Sequence, residues 1–284
     1  MKLAVEFYEA WKYFGIDSGM RAIKEAGFDA VDMSYYHDAA GFFLGDDYRQ
    51  KAEQVKTALE KYGLCCHQAH APMESYYGMA QDETCPEYVR LQRAVESAGI
   101  IGIHHIVVEG MEVPAPHTSY LNLDYNCDFY RGLEPTARQH GVVIVLENLR
   151  KSFTYPDLMN EALRRLDSPW FQALVDVGHT WVRADMQPGD YIRQLDRGCL
   201  CGLHIQDTHG VRQGLDEHLL PWTAEIDFED LMKALKEVGY AGDLTLEIGG
   251  FLRQYGSKGL LKPAFVFAEA VGRKLIEIYN CCEV

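Results

Sequence analysis

The feature that most constrains this chain is an alternation that recurs eight times along it. Short runs rich in apolar and β-branched residues stand at 3–8 (LAVEFY), 30–35 (AVDMSY), 64–70 (LCCHQAH), 103–110 (IHHIVVEG), 142–148 (VVIVLEN), 173–179 (ALVDVGH), 202–207 (GLHIQD) and 244–250 (LTLEIGG). Their centres lie roughly 26 to 42 residues apart. Between them run longer segments with apolar residues at i, i+3 and i+4, among them YRQKAEQVKTALEKYG, YVRLQRAVESAG and DFEDLMKALKEVGY. Several of these end in glycine just before the next apolar run (Gly27, Gly63, Gly141, Gly239), the expected left-handed stop of a helix. Strands separated by helices of that length require crossover connections, and crossovers make the sheet parallel. Eight such units in about 250 residues is the arithmetic of a closed (β/α)8 barrel of the TIM type. An open doubly wound sheet uses roughly five or six strands, and no Gly-x-Gly-x-x-Gly follows the first run. No linker or composition shift divides residues 1–284, which read as a single α/β domain.

Composition narrows the function classes. The chain is 48% hydrophobic and 24% charged, as globular proteins are, and its formal net charge is −15. That balance argues against a sequence-blind nucleic-acid binder or a protein drawn to an anionic membrane. No run of about 18 apolar residues predicts a membrane span. Glu6 and Glu9 interrupt the apolar core that a leading signal peptide needs, so a cytoplasmic location is expected. The eight cysteines, four of them in the adjacent pairs Cys65-Cys66 and Cys281-Cys282, form no disulfide framework and read as reduced thiols.

In a barrel of this kind the chemistry lies at the C-terminal ends of the strands. Four consecutive strands end in a polar residue flanked by apolar ones: Glu147 after VVIVL, Asp176 after ALV, His204 after GL and Glu247 after LTL. A charge at such a position destabilises the fold if it is buried and unpaired. Four of them converging on one mouth can satisfy one another through a single divalent cation. Three carboxylates and an imidazole favour a metal of intermediate hardness, Mn²⁺ first, then Co²⁺, Mg²⁺ or Zn²⁺.

The segments VLENL, LVDVGH, GLHIQD and LTLEI, in this order, resemble the xylose isomerase-like barrel superfamily, which holds sugar isomerases and epimerases related to D-tagatose 3-epimerase, the inosose dehydratases and endonuclease IV. AHAP at 69–72 and Asp216-Glu-His218, followed by Pro221 and Ile226-Asp227-Phe228, are similar to further elements of that group. The resemblance implies that Glu147, Asp176, His204 and Glu247 ligate the metal, that Glu147 and Glu247 are also the acid/base pair, and that His179 and Arg212 bind substrate. Two departures matter. Glu109 stands where the endonuclease has a metal-binding histidine, and the segment after His218 lacks Pro-Gly-x-Gly, so a trinuclear zinc cluster is not expected.

The chemistry that suits those ligands is proton transfer next to a carbonyl. A divalent cation chelated by the carbonyl and the adjacent hydroxyl stabilises an enediolate. Glu147 and Glu247, three strands apart, approach opposite faces of it, one removing the proton and the other returning it, each step worth about 10²–10⁴ in rate. The outcome is an epimer or an aldose/ketose pair, or a dehydration through the same intermediate. The partner expected is a small carbohydrate, preferably a free sugar, polyol or sugar acid, since no Gly-rich loop leads into a helix after strands seven and eight except Gly249-Gly250. A homo-oligomer is compatible with this reading; nucleic acid and membrane are not expected partners.

Other residues carry weaker expectations. His70 ends the third strand and faces a substrate hydroxyl, a second metal or a neighbouring carboxylate. His104 and His105 sit inside the fourth strand and read as packing histidines, and Asp216 with His218 resembles a second metal pair. Of the loop aromatics Trp11, Tyr35, Tyr36, Phe42, Phe43, Tyr76, Tyr77 and Trp222, some four or five are expected to wall a sugar pocket, Trp222 among them, and the loop at 35–48 is long enough to act as a lid. Three alternatives compete: a zinc phosphodiesterase like endonuclease IV, a lyase or dehydratase subunit that uses the same proton abstraction, and a non-enzymatic binding subunit.

Overall fold

A computed structural model describes residues 1–36, 38, 41–74, 76–112, 119–210 and 215–283. In chain order the elements are β1 (Leu3–Glu6), α1 (Tyr8–Ala26), β2 (Ala30–Ser34), α2 (Tyr48–Tyr62), β3 (Cys65–His70), α3 (Pro86–Ile101), β4 (His105–Val108), α4 (Ser119–His140), β5 (Val143–Glu147), α5 (Arg150–Phe153), α6 (Pro156–Leu166), β6 (Phe171–Asp176), α7 (Val177–Arg183), α8 (Pro188–Arg193), β7 (Leu200–His204), α9 (Phe228–Glu237), β8 (Leu244–Leu246), α10 (Gly249–Gly256) and α11 (Leu261–Cys281). All eight apolar runs contain a strand, and the strands pair in parallel in the order β7-β6-β5-β4-β3-β2-β1-β8. The ring closes between the last two: the Ile205 N–H donates to the Thr245 carbonyl at 2.8 Å and the Glu247 N–H to the Ile205 carbonyl at 3.0 Å. The protein is a single (β/α)8 barrel.

Local chemistry sets the boundaries. The chain leaves α1 through Gly27 at φ 107°, a conformation that costs other residues a Cβ clash. Helix α6 opens on Pro156, whose fixed φ suits a first helical turn, and α9 opens on Asp227, whose carboxylate accepts the Asp230 N–H at 2.9 Å. Within α1, Gly15 at φ 75° breaks the helical path, so residues 8–14 form a separate first segment over the barrel mouth.

Two runs are shorter than their sequence suggests. The sixth ends at Asp176, because its carboxylate caps α7 by accepting the His179 N–H at 2.8 Å, so Val-Gly-His begins a helix. The fourth starts only at His105. His104 is exposed before it and half-buried His105 opens it, with His67 stacked on His104 at 6.1 Å between ring centroids. His104 therefore precedes the strand and His105 is its first residue, both at the N-terminal end of the barrel.

Most of the core lies between sheet and helices, and Val107, Val145 and Leu174 form a smaller apolar cluster. Polar groups follow toward the mouth: the Gln68 amide donates to Asp32 Oδ2 at 2.6 Å, and His204 Nε2 lies 3.4 Å from the same oxygen. No described helix is long and apolar enough to cross a membrane.

Candidate metal and acid/base centre at the barrel mouth

Glu147, Asp176 and His204 are the last residues of β5, β6 and β7, and Glu247 follows β8 directly. The parallel register sets Asp176 beside His204 and Glu147 beside Leu174, so neighbouring strands deliver their polar ends to one level. All four side chains are buried, and each offers a ligand atom within 4.8 Å of the others. His204 Nδ1 lies between the two glutamates, 3.2 Å from Glu147 Oε1 and 3.3 Å from Glu247 Oε2.

A set of carboxylates this close must be neutralised, and here histidines do it. Burial pushes Glu147 up, but hydrogen bonds with His204 and His70 outweigh that and hold its carboxyl well below the usual range. Burial also lifts Glu247, and despite the opposing charges of His204 and His218 it rises to about 8, with Asp176 and Glu147 pushing the same way. For His204, burial favours the neutral ring, yet Glu247, Asp32 and Glu147 raise its pKa well above the usual value. His70, 3.2 Å from Glu147 Oε2, rises in the same manner to about 9. The buried Nδ1 of His179 lies 3.4 Å from Glu147 Oε1 and makes no hydrogen bond among the described residues. The donor set therefore fits a divalent cation: hard oxygen donors with one imidazole, buried and rich in negative charge.

A ring of supporting groups fixes these donors. The Asn148 amide donates to the Asp176 carbonyl at 2.9 Å and its oxygen accepts the Asp176 N–H at 2.7 Å. The Gln206 amide donates to both Asp176 oxygens, at 3.2 and 3.1 Å, and to Asp216 Oδ1 at 2.9 Å. Asp216 in turn meets His179 Nε2 at 2.8 Å and His218 Nε2 at 3.5 Å. His218 adopts φ 50°, which a non-glycine residue holds only under constraint; its N–H donates to Gln206 Oε1 at 2.9 Å.

A cavity of about 260 Å³ opens above this centre, walled by Tyr36, His70, Glu109, His179, Asp216 and Arg253 among others. His70, His179, Asp216 and His218 all line this cavity. Glu109 joins His70 and Glu147 in a second group whose ligand atoms lie within 4.8 Å of one another. Arg212 lies outside the described residues. Trp222 does not reach the cavity: it packs against Phe228 at 5.8 Å and is 40% exposed.

The aromatic expectation is corrected likewise. Of the eight, only Tyr36 lines the cavity among the described residues, and its hydroxyl donates to Glu6 Oε2 at 2.6 Å. Trp11, Phe42 and Phe43 pack on one another with centroids about 5 Å apart, and Tyr35 is buried against Ser97. The first segment of α1 supplies partners for these rings, so they fill the space beneath the 35–48 loop. Asp38 ties that loop down by accepting the N–H groups of Phe43 and Leu44 at 2.9 to 3.1 Å. Gln206, Asn148 and Arg253 escaped the sequence reading. Gln206 left a faint trace as a polar residue following a strand-end histidine; Arg253 left none.

Residues 20–259 match the family described as Xylose isomerase-like TIM barrel. The chain belongs to that family. Among curated proteins it is 26% identical over 248 residues to L-ribulose-5-phosphate 3-epimerase UlaE of Salmonella paratyphi A, covering 81% of this chain and 80% of the relative. Among solved structures, a D-tagatose 3-epimerase-like protein superposes with a TM-score of 0.76 at 21% identity over 99% of this chain and 98% of the other. The IOLI protein with a bound zinc atom gives 0.77 at 16% identity, covering 98% and 99%. The 3-keto-D-glucoside 4-epimerase YcjR from E. coli gives 0.71 at 21% identity, covering 95% and 99%. These likenesses carry the fold.

Proposed function

We propose that this barrel is a metal-dependent sugar epimerase that inverts a carbon next to a ketone. Its class, a sugar isomerase or epimerase, follows from the epimerases among its relatives. The observation that carries the finer reading is the pairing at the mouth: two glutamates, at the ends of β5 and β8, buried on either side of His204. A pair so placed is suited to act as base and acid on one substrate. Ketoses in both phosphorylated and free form are the named substrates of relatives and structural neighbours, which supports a ketose here.

Glu147, Asp176, His204 and Glu247 would hold one divalent cation, Mn²⁺ the first candidate, which when bound supplies Lewis acidity toward a substrate carbonyl and its neighbouring hydroxyl. The chain's own residues do the rest. Of Glu147 and Glu247, one accepts the proton from the carbon and the other returns one from the opposite face. His179, fixed by Asp216 through Nε2, presents Nδ1, which lies 3.4 Å from Glu147 Oε1, to a substrate oxygen. His70 and Tyr36 close the wall and keep water from the planar intermediate.

Solvent-deuterium incorporation across a panel of ketoses, with Mn²⁺ added, tests this reading, since exchange is registered whichever product forms. Glu147→Gln and Glu247→Gln are each expected to abolish exchange, because an amide offers an oxygen but accepts no proton at neutral pH. His204→Ala is expected to lower bound metal, measured by elemental analysis. Wild-type exchange in either glutamine variant would remove that residue from the acid/base role, and undiminished metal in the alanine variant would sink the ligand assignment.

A further inference from the structure

The cavity wall holds four carboxylates, Glu109, Glu147, Asp216 and Glu247, and one permanent cation among its described residues, the guanidinium of Arg253. Arg253 lies four residues after Gly249 in α10, and positions so spaced share a helix face; both line the cavity. Gly249 leaves that face open, and a Cβ there would sit 2.8 Å from Glu6 Oε1 and displace that carboxylate. Arg90, Arg93, Arg193 and Arg273 each hold a carboxylate. Arg253 is exposed, and among the described residues no hydrogen bond or ion pair engages its guanidinium. It feels the charges of buried Glu6 and Glu9 without pairing to either.

We propose that Arg253 binds an anionic substituent of the ketose, a phosphate monoester or a carboxylate remote from the reacting carbons, and so selects acidic sugars over neutral ones. The proposal rests on the epimerase reading above. A guanidinium presents a rigid fork of donors that matches either group in a bidentate manner. Four carboxylates in the wall repel an anion, and a fixed guanidinium offsets that repulsion at one point of the wall. The metal-capable quartet takes the carbonyl end, while Arg253, one turn into the helix after β8, stands at the rim where the far end of a sugar chain emerges. Met73 and Leu149 add an apolar stretch to the same wall. No Gly-rich loop is required: the side chain provides the anion contact that such a loop would otherwise supply.

The test uses three probes on the metal-loaded protein: a neutral ketopentose, its 5-phosphate and a keto sugar acid. Deuterium exchange and calorimetric binding are both measured for wild type, Arg253→Ala and Arg253→Lys. Loss of a charge-assisted contact is expected to raise KM and Kd for an anionic probe about ten- to a hundred-fold in the alanine variant, with kcat nearly unchanged. The neutral ketose should change less than about twofold, and lysine should recover part of the loss. Whether the phosphate or the carboxylate probe responds identifies the substituent. Equal effects on neutral and anionic probes, or none on either anion, would overturn the proposal and leave Arg253 as a counter-charge to Glu6 and Glu9. If no probe exchanges deuterium but anion binding still depends on Arg253, the epimerase reading fails and the anion site stands.

Discussion

Glu9 offers a sharp test of how this fold tolerates buried charge. It lies in the first turn of α1, is fully buried, and neither carboxylate oxygen has a hydrogen-bond partner. Burial pushes its carboxyl from 4.5 up to about 7, against the pull of Lys12 and Arg253 and with a further push from Glu6. Between those two values the folded chain holds a proton that the unfolded chain has released. The group's contribution to stability is therefore fully present below about pH 4.5 and is lost as pH rises through about 7. At about 1.4 kcal/mol per pH unit the full window is worth about 3 kcal/mol, most of which falls between pH 5 and 8. Glu9→Gln removes the titration while keeping shape and volume. Urea unfolding of both proteins at pH 5 and pH 8 should show wild type losing about 2 to 3 kcal/mol more than the variant over that interval. Glu6 and every other titrating group cancel in the comparison to the extent that they are unaffected by the change. Superimposable pH profiles for the two proteins would refute the reasoning.

Two further expectations concern the site. His179→Ala should keep its metal, by elemental analysis, while kcat/KM falls by about one to three orders of magnitude, since the lost contact is to substrate at about 1.4 kcal/mol per order; loss of metal from this variant would make His179 a ligand instead. Gly178→Ala places a Cβ 2.5 to 2.8 Å from the Gln206 carboxamide and displaces it from Asp176 and Asp216, so metal affinity in a chelator competition should fall about ten- to a hundred-fold. Unchanged affinity would mean that Gln206 does not hold Asp176 in place.

The strand ends were legible because a carboxylate after an apolar strand has few tolerable environments. Glu147, Asp176, His204 and Glu247 each break a hydrophobic run at the same phase of the repeat, and in a closed barrel equal phase means a shared level. The aromatics were not legible for a related reason. A ring next to a strand end can face the mouth or the underside of its own loop, and sequence order does not distinguish the two. Trp11 decides the matter here: the first segment of α1, set off by Gly15, brings it against Phe42 and Phe43, and those rings bury one another. The overrun of the sixth strand has the same origin. Asp176 serves at once as strand end, helix cap and metal-capable donor, and the apolar Val177 after it looks like more strand until the cap is seen.

Gln206 shows most clearly where sequence reasoning stops. A carboxylate or imidazole announces itself by charge or by metal-binding habit, but a neutral amide has no such signature. Its weight comes from position. It donates to Asp176, which belongs to the metal-capable quartet, and to Asp216, which orients His179 toward the cavity, and its oxygen holds the backbone of His218. One neutral residue thus ties the donor set to the substrate-facing histidines. It does so without adding to the negative charge that the quartet already has to balance, which a carboxylate there would do. An amide with both donor and acceptor is suited to bridge two acids and a backbone N–H in a buried space, and that requirement exists only once three separate segments have folded around it.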